Sequence, residues 1–157
     1  MSFTQDKETD NYTSPIKIWK DIINYIPKDK KIWSPFFCDG KQQEIFKELG
    51  FDIIHNDEDF FKNDRGEIII DNIPFSKCKQ VCLRLKELEK PFIIILPNHT
   101  LMYKRFQRPF SAHLQIIIPD KRMKFKNFSS DELSNLPFDC YYFCYKMNLP
   151  TDLVWLD

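Results

Sequence analysis

The sequence contains few glycines, no long apolar run and no excess charge of either sign. Only three of its 157 residues are glycine, and it has neither a P-loop nor an intact dinucleotide-binding glycine fingerprint, which disfavours the nucleotide-binding folds that need those turns. No run approaches the roughly 18 apolar residues of a membrane-spanning helix. Lysine plus arginine and aspartate plus glutamate both number 23. The net charge is therefore zero, and any contact with nucleic acid must be local.

The five cysteines are an odd number. Together with the lack of an apolar leader, this predicts a cytoplasmic protein in a reducing compartment that makes no membrane contact. Cys78 and Cys82, like Cys140 and Cys144, are spaced so that each pair can share a face. Neither spacing matches a common zinc ribbon or finger, so we expect core cysteines and assign no metal site.

The beginning of the chain differs in character from the rest. Residues 1–11 are polar and lack an apolar period, so we expect a disordered tail there. The chain as a whole is 43% hydrophobic and 15% aromatic, which is enough for one sizeable core. We therefore expect residues 12–157 to form a single domain.

Helical and strand patterns alternate along most of this domain. One helix is predicted after Ser14 as N-cap, with Pro15 at its first position and Pro27 at its end. Further helices are predicted at 41–49, where Gly50 stops the helix, at 77–88 and at 99–106. Strands are predicted at 31–34, 52–55, 67–71, 91–96, 114–118, 141–146 and 154–156. This order predicts an α/β fold with a Rossmann-like, doubly wound, mostly parallel sheet that has antiparallel strands at its C-terminal end.

The most informative segment is a polar cluster that follows the apolar run 67–70. It reads Asp71-Asn72-Ile73-Pro74-Phe75-Ser76 and lies at the carboxyl end of a predicted buried strand, where open α/β sheets bind ligands. The Asn72 amide oxygen and the Ile73 carbonyl are two acceptors for an amine, and Phe75 offers a flat face for stacking. An amine held in this way keeps its lone pair directed outward, toward an electrophile.

This segment resembles the Asn-Pro-Pro-Phe motif of class I S-adenosylmethionine-dependent amino-group methyltransferases, chiefly adenine-N6 enzymes, with Ile73 in place of the first proline. Residues 12–23 are similar to the segment that precedes the cofactor strand in that family. Residues 32–40 resemble its Asp-Pro-Phe-Cys-Gly-Ser-Gly loop, and residues 51–61 resemble its second strand with the acidic and aromatic cofactor contacts. The resemblance covers residues 12–125 and suggests a small variant of the kind found in large DNA viruses and phages.

The resemblance implies S-adenosyl-L-methionine as cofactor and assigns residues to each ligand. In the cofactor site, Asp57 would accept the ribose hydroxyls, Asp59 and Phe60 would contact the adenine, and Asp39 would meet the ammonium of the methionine part. The implied catalytic residues are Asn72, Ile73, Pro74 and Phe75. The implied cofactor-binding residues are Thr13, Pro35, Asp39, Gly40, Asp57, Asp59, Phe60 and Asp71.

Each of these assignments has a simpler structural alternative. Asn72 to Phe75 can be a turn that leaves a strand. Asp57 and its acidic neighbours can form a solvated loop, and Asp39 can be a surface residue. Phe60 can belong to the core.

Basic side chains are interleaved with aromatic ones after residue 102, a pattern that suits phosphate contacts beside stacking platforms. We assign Lys104, Arg105 and Arg122 to substrate binding, although a solvated surface is the alternative. His99 lies near the same edge, but transfer to an amine does not demand a strong base.

The sequence thus predicts a methyltransferase that acts on an exocyclic amine, chiefly adenine N6 of DNA or RNA that is single-stranded or presented by a protein partner. A second hypothesis is a catalytically inactive member of the fold that binds nucleic acid or a partner. It is favoured by Ser34, Cys38 and Ile73, which replace an acidic residue, a glycine and a proline of the family motifs. A third is another nucleotide chemistry on the same scaffold.

Overall fold

The computed structural model describes residues 12–127, 132–134, 136 and 138–157. The expected tail, 1–11, lies outside the described residues. The strands are β1 Tyr12–Thr13, β2 Ile32–Trp33, β3 Ile53–Ile54, β4 Ile68–Asn72, β5 Phe92–Pro97, β6 Leu114–Ile118, β7 Phe125–Asn127, β8 Leu133–Ser134, β9 Cys140–Tyr145 and β10 Leu153–Trp155. The α-helices are α1 Ile16–Lys20, α2 Gln42–Glu48, α3 Cys78–Leu88 and α4 Lys104–Phe110.

The main sheet has the strand order β10-β6-β9-β5-β4-β2-β3. Strands β3, β2, β4 and β5 are parallel to one another, and β10 is parallel to β6. Strand β9 is antiparallel to both of its neighbours, β5 and β6. The predicted Rossmann-like, mostly parallel α/β sheet is therefore confirmed. The predicted antiparallel strands at the C-terminal end are confirmed only in part. The antiparallel strand of this sheet is β9, and it lies inside the sheet instead of at its end.

Helices cover both faces of this sheet. Ile70 of β4 packs with Trp19 of α1 and Phe46 of α2 in one cluster. The adjacent Ile69 packs with Val81 of α3 in the other cluster. Because β4 and β5 are buried on both faces, their sequences read as continuous apolar runs, as parallel strands between two helical layers require.

A small antiparallel sheet, β1-β7-β8, lies beside the main one. Tyr12 pairs with Asn127, and Thr13 pairs with Lys126. These strands were not predicted from the sequence. Each has only two or three residues, so no periodic pattern marks it.

The prediction for the first helix is wrong at both ends. Pro15 is the N-cap residue and α1 ends at Lys20, after which a separate 3₁₀ turn, Ile23–Tyr25, precedes Pro27. Ser14 does not cap the helix: it is 3% exposed, and within the described part of the chain its Oγ has no hydrogen-bond partner. The helix stops early because Ile22 leaves helical geometry, with φ −114° and ψ 15°, and buries its side chain completely.

The predicted end of the second helix is confirmed. Gly50 follows α2 with φ +94°, a left-handed conformation that glycine adopts without a Cβ clash. The amides of Gly50 and Phe51 donate to the carbonyls of Lys47 and Phe46 at 3.0 and 2.8 Å, which satisfies the last turn.

The predictions for the later elements vary in accuracy. Helix α3 matches 77–88 closely, whereas the predicted helix 99–106 is wrong in extent. A 3₁₀ turn, Asn98–Met102, is followed by α4, which continues to Phe110. None of the helices in the described residues is long and apolar enough to cross a membrane.

The paired cysteines lie in the core, as predicted. Cys78 and Cys82 share a helix face with their Sγ atoms 3.9 Å apart, and Cys140 and Cys144 are buried in β9. Burial raises the pKa of the Cys140 thiol to about 12. Within the described part of the chain, no group of three histidine, cysteine or acidic side chains is placed to hold a metal ion.

Candidate functional site

A cleft lies at the carboxyl ends of β2 and β4. Its walls come from the segment around β1, from the loop after β2, from the first turns of α2 and from the end of β4. Its enclosed space is narrow, about 20 Å³, which is room for roughly one water molecule. The residues that line the cleft are Tyr12, Thr13, Ser14, Phe36, Phe37, Cys38, Asp39, Lys41, Gln42, Ile45, Asp71 and Asn72.

The carboxylate of Asp71 ties these elements together. It is 2% exposed, and its Oδ2 accepts the backbone N–H of Phe36 at 2.7 Å. Its Oδ1 accepts the amide of Gln42 at 3.0 Å and the backbone N–H of Asn72 at 2.7 Å. Asp71 was predicted to bind cofactor, but both of its oxygens already accept hydrogen bonds from the protein. It therefore holds the cleft in shape.

Burial also perturbs the titration of Asp71. Loss of solvation raises the pKa of this carboxyl from 3.8 to about 6, against the opposing effects of His55 and of the hydrogen bonds from Phe36, Asn72 and Ser34. A buried carboxyl with a raised pKa beside a cleft is a common feature of functional sites.

A polar network extends from Asp71 beneath the cleft. Gln42 donates to Ser34 Oγ at 2.7 Å and accepts the indole N–H of Trp19 at 3.2 Å. His55 Nδ1 lies 2.8 Å from the carbonyl oxygen of Ser34, and its ring stacks on Phe37 with 5.1 Å between centroids. Sequence reasoning missed Gln42 and His55. The available signals were Gln42 in the first turn of a helix and His55 at the end of a strand.

The loop between β2 and α2 contains two left-handed residues. Cys38 has φ +53° and Gly40 has φ +77°, and the Gly40 amide donates to the Phe37 carbonyl at 2.8 Å. Asp39, which is exposed, accepts the backbone N–H of Lys41 at 3.1 Å. Cys38 thus adopts a backbone conformation that favours glycine. Pro35, predicted to bind cofactor, is buried behind this loop and is not among the lining residues of the cleft.

Asn72 provides an unpaired acceptor in the cleft. Its Oδ1 atom is buried and has no hydrogen-bond partner among the residues that the structure describes. Leaving a buried polar atom unpaired costs about 1–3 kcal/mol, so such an atom calls for an explanation. The Oγ atom of Ser14, which also lines the cleft, is likewise buried and has no hydrogen-bond partner among the described residues. An amide oxygen accepts hydrogen bonds, whereas a hydroxyl both donates and accepts them.

The rest of the predicted amine-binding turn is mostly buried. Ile73 is 2% exposed and Pro74 is buried. Phe75 is half-buried and packs edge-on against Phe138 with 5.1 Å between ring centroids. Phe75 does not line the cleft, so the predicted stacking face points elsewhere.

The second half of the predicted cofactor site does not reach the cleft. Asp57 is exposed beyond β3, and Asp59 accepts the backbone N–H of its neighbour Phe61 at 2.9 Å. Phe60 is 1% exposed and packs against Trp33 in the core, which fits the alternative structural interpretation. Of the predicted cofactor residues, the structure brings Thr13, Asp39 and Asp71 together at the cleft, with Gly40 in the adjoining loop.

The predicted substrate-binding residues lie on two different segments, α4 and the connection between β6 and β7. Lys104 is exposed on α4, whose Phe110 packs in the same cluster as α3. The Arg105 side chain lies outside the described part of the structure. Arg122 is on the β6–β7 connection, where its guanidinium pairs with Asp139 at 2.9 Å.

Two further observations concern residues near the site. The exposed His99 ring makes edge contacts with the rings of Tyr103 and Phe138, each at 5.9 Å, and has no contact with the cleft. Glu58, in the acidic loop after β3, forms an ion pair with Arg65 at 2.6 Å, and this hydrogen bond lowers its pKa. Glu58 is therefore already engaged in an ion pair within the protein.

No protein-family model matches this chain, and no curated protein matches it in sequence. Its function must therefore be argued from the fold and from the polar groups that converge on the cleft.

Proposed function

We propose that this protein is an S-adenosylmethionine-dependent methyltransferase that acts on an exocyclic amine, with adenine N6 of single-stranded nucleic acid as the first candidate. The observation that carries the proposal is the buried, unpaired Oδ1 of Asn72 in a cleft at the carboxyl ends of β2 and β4. An amine N–H is the donor that this oxygen lacks. The motif around Asn72, which resembles that of adenine-N6 enzymes, gives independent support.

The cleft residues fit the cofactor in part. Thr13 and Ser14 offer hydroxyls, and Asp39 offers a carboxylate that Lys41 approaches to 3.9 Å. In the adjoining loop, the ring of Phe37 already occupies the side of Gly40 where a Cβ would stand. The enclosed 20 Å³ is far below the roughly 300 Å³ or more of small-molecule sites. Binding of the cofactor therefore requires the cleft to widen. S-adenosylmethionine, when bound, would supply an electrophilic methyl group.

The contribution of the chain is to orient the amine. Asn72 Oδ1 accepts one N–H of the substrate, and the carbonyl of Ile73 accepts the other, which directs the nitrogen lone pair away from the protein acceptors. Asp71 holds the Asn72 backbone N–H at 2.7 Å and so fixes the position of this turn. Catalysis then comes from positioning and from preorganised dipoles, without a covalent enzyme intermediate.

A second candidate function is that of an inactive nucleic-acid-binding or partner-binding subunit. It is favoured by the narrowness of the cleft and by the positions of Asp57 and Phe60, which leave no predicted ribose or adenine contact in it.

The variant Asn72→Ala tests the first function. Loss of the amine acceptor should lower methyl transfer to a single-stranded adenine-containing oligonucleotide by about 100-fold or more. The affinity for S-adenosylmethionine, measured by calorimetry, should stay within about threefold, because the substituted oxygen contacts the substrate. Thermal unfolding serves as the control for folding, and since an orphaned polar atom is removed, the variant should be no less stable than the wild type.

Two results would contradict the proposal. If the wild-type protein shows neither heat nor a thermal shift with S-adenosylmethionine, the inactive-subunit function is favoured. If Asn72→Ala transfers methyl groups at the wild-type rate, the role assigned to Asn72 is wrong.

A further inference from the structure

A second and larger cavity lies on the other side of the segment that bounds the cleft. We call it the groove. It has a volume of about 310 Å³ and lies between α1, the β6–β7 connection and β8. Tyr12 to Ser14 line the cleft, whereas Pro15, Lys17 and Ile18 line the groove. The two sites are thus neighbours at the same edge of the main sheet, separated by one stretch of chain.

The interior of the groove is apolar. Its walls include Ile18, Met123 and Tyr142, which are 4%, 6% and 1% exposed. The Tyr142 hydroxyl is already used, because it donates to the Ile18 carbonyl at 2.6 Å. Leu133 at the mouth is 53% exposed. The groove therefore offers apolar contact to a ligand and few hydrogen bonds.

The rim of the groove is basic. Lys17 is neutralised by Asp21 at 2.7 Å, and Arg122 is paired with Asp139 outside the groove. Lys121 and Lys124 are exposed and form no ion pair with the residues that the structure describes. An apolar cavity whose rim carries two lysines without an ion pair among the described residues is complementary to a ligand that has an apolar part and adjacent negative charges.

We propose that the groove binds a nucleobase of single-stranded nucleic acid that flanks the target nucleotide, with Lys121 and Lys124 contacting its phosphates. This proposal rests on the proposed function, since the same strand would place its target amine in the cleft on the other side of Pro15. The volume of about 310 Å³ lies at the lower end of the range for small-molecule sites and accommodates a base. Lysine contacts supply affinity without base specificity, and the apolar walls admit any base.

Position favours nucleic acid over an acidic peptide as the occupant. A polynucleotide that reaches the cleft must continue across the neighbouring surface, and the groove is the apolar, basic surface next to it. An acidic peptide would satisfy the same charges, but nothing in the cleft requires one. Binding of poly-glutamate is therefore included as an opposing outcome of the test.

The first test measures the salt dependence of binding. Fluorescence anisotropy with a labelled oligothymidylate, in the absence of S-adenosylmethionine, gives the slope of log Kd against log salt. The double variant Lys121→Gln/Lys124→Gln should reduce this slope by about 1.4, since each single-strand phosphate contact contributes about 0.7. The matched control is Lys28→Gln/Lys30→Gln, which removes two exposed charges at the amino-terminal edge of the sheet and should leave the slope unchanged.

The second test asks whether a base occupies the groove. An abasic oligonucleotide of the same length keeps the phosphates, and the wild-type protein should bind it about tenfold more weakly. Leu133→Ser should weaken binding of the oligothymidylate and leave binding of the abasic strand unchanged. This exposed site permits the substitution without a cavity in the core.

The groove assignment would be overturned by equal slopes in the two double variants or by equal affinity for the abasic and thymidine strands. Tighter binding of poly-glutamate than of the oligothymidylate would also overturn it. None of these measurements uses the cofactor. If methyl transfer is observed but these binding tests give the opposing results, only the groove assignment is wrong. If they succeed while S-adenosylmethionine does not bind, only the proposed methyltransferase function falls.

Discussion

Asn72 and Asp71 are adjacent residues with opposite hydrogen-bonding states. The carboxylate of Asp71 accepts hydrogen bonds from Phe36, Gln42 and Asn72, whereas the amide oxygen of Asn72 accepts none. The Asp71 side chain is thus engaged within the protein, whereas the Asn72 amide oxygen is buried without a partner among the described residues. The role proposed for Asn72 depends on this difference.

The raised pKa of Asp71 predicts a pH-dependent stability. Its carboxyl titrates near pH 6 in the folded chain and near 3.8 when solvated, so the folded state holds the proton more tightly between these values. The contribution of this group to stability is therefore largest at low pH and is lost as the pH rises through about 6. From about pH 4.5 to about pH 7.5 the loss should amount to about 2 kcal/mol.

Urea unfolding of the wild type and of Asp71→Asn at both pH values measures this effect. Asp71→Asn lacks the titrating group, so its free energy of unfolding should gain about 2 kcal/mol relative to the wild type on going to the higher pH. Parallel pH dependences of the two proteins would show that Asp71 titrates normally.

At the residue scale, the sequence pointed to part of the cleft. Thr13, Asp39, Asp71 and Asn72 were predicted as ligand-binding residues, and all four line the cleft. Gln42 was missed because two of its partners, Trp19 and Asp71, lie 23 and 29 residues away in the sequence and leave no local pattern.

At the scale of the element, the accuracy of each prediction depended on what stabilises the strand or helix concerned. Strands β4 and β5 were predicted well because burial on both faces requires a continuous apolar run in the sequence. Strand β1 pairs with the distant β7, and β7 and β8 are only three and two residues long, so the existence of these strands could not be read from their own residues. The length of α1 was overestimated because the apolar spacing continues through Ile22 into a turn that is not α-helical.

The end of α2 provides a test at this scale. Gly50 has φ +94°, and a Cβ added there would meet no heavy atom within 4 Å. The cost of Gly50→Ala is therefore conformational and should destabilise the fold by about 1–2 kcal/mol. Urea unfolding measures it, and Glu48→Ala, an exposed change in the same helix, should stay within about 0.5 kcal/mol of the wild type. An equal effect of the two variants would argue against the left-handed helix end.

For the whole molecule, the cysteines report on both layers of the core. Cys140 and Cys144 belong to the cluster that includes α1 and α2, and Cys78 and Cys82 belong to the cluster that includes α3. Cys38 is exposed. Loss of the fold should thus expose thiols from both faces of the sheet together.

A disulfide-exchange reagent should modify one thiol rapidly in the native protein and all five in denaturant. The buried thiols react slowly because they are inaccessible and because burial raises the pKa of Cys140 to about 12. Cys38→Ser should abolish the rapid reaction. Rapid modification of two or more thiols in the native protein would contradict the described core.

The position of β9 has a consequence for how the chain is made. Strand β5 ends at Pro97, but its second neighbour begins only at Cys140, and β6 joins the sheet through that same late strand. Until residues 140–145 have been synthesised, the nascent chain contains the apolar strand β5 with one unpaired edge. Such an edge pairs readily with another copy, so slow translation through residues 98–139 should promote aggregation of the unfinished product.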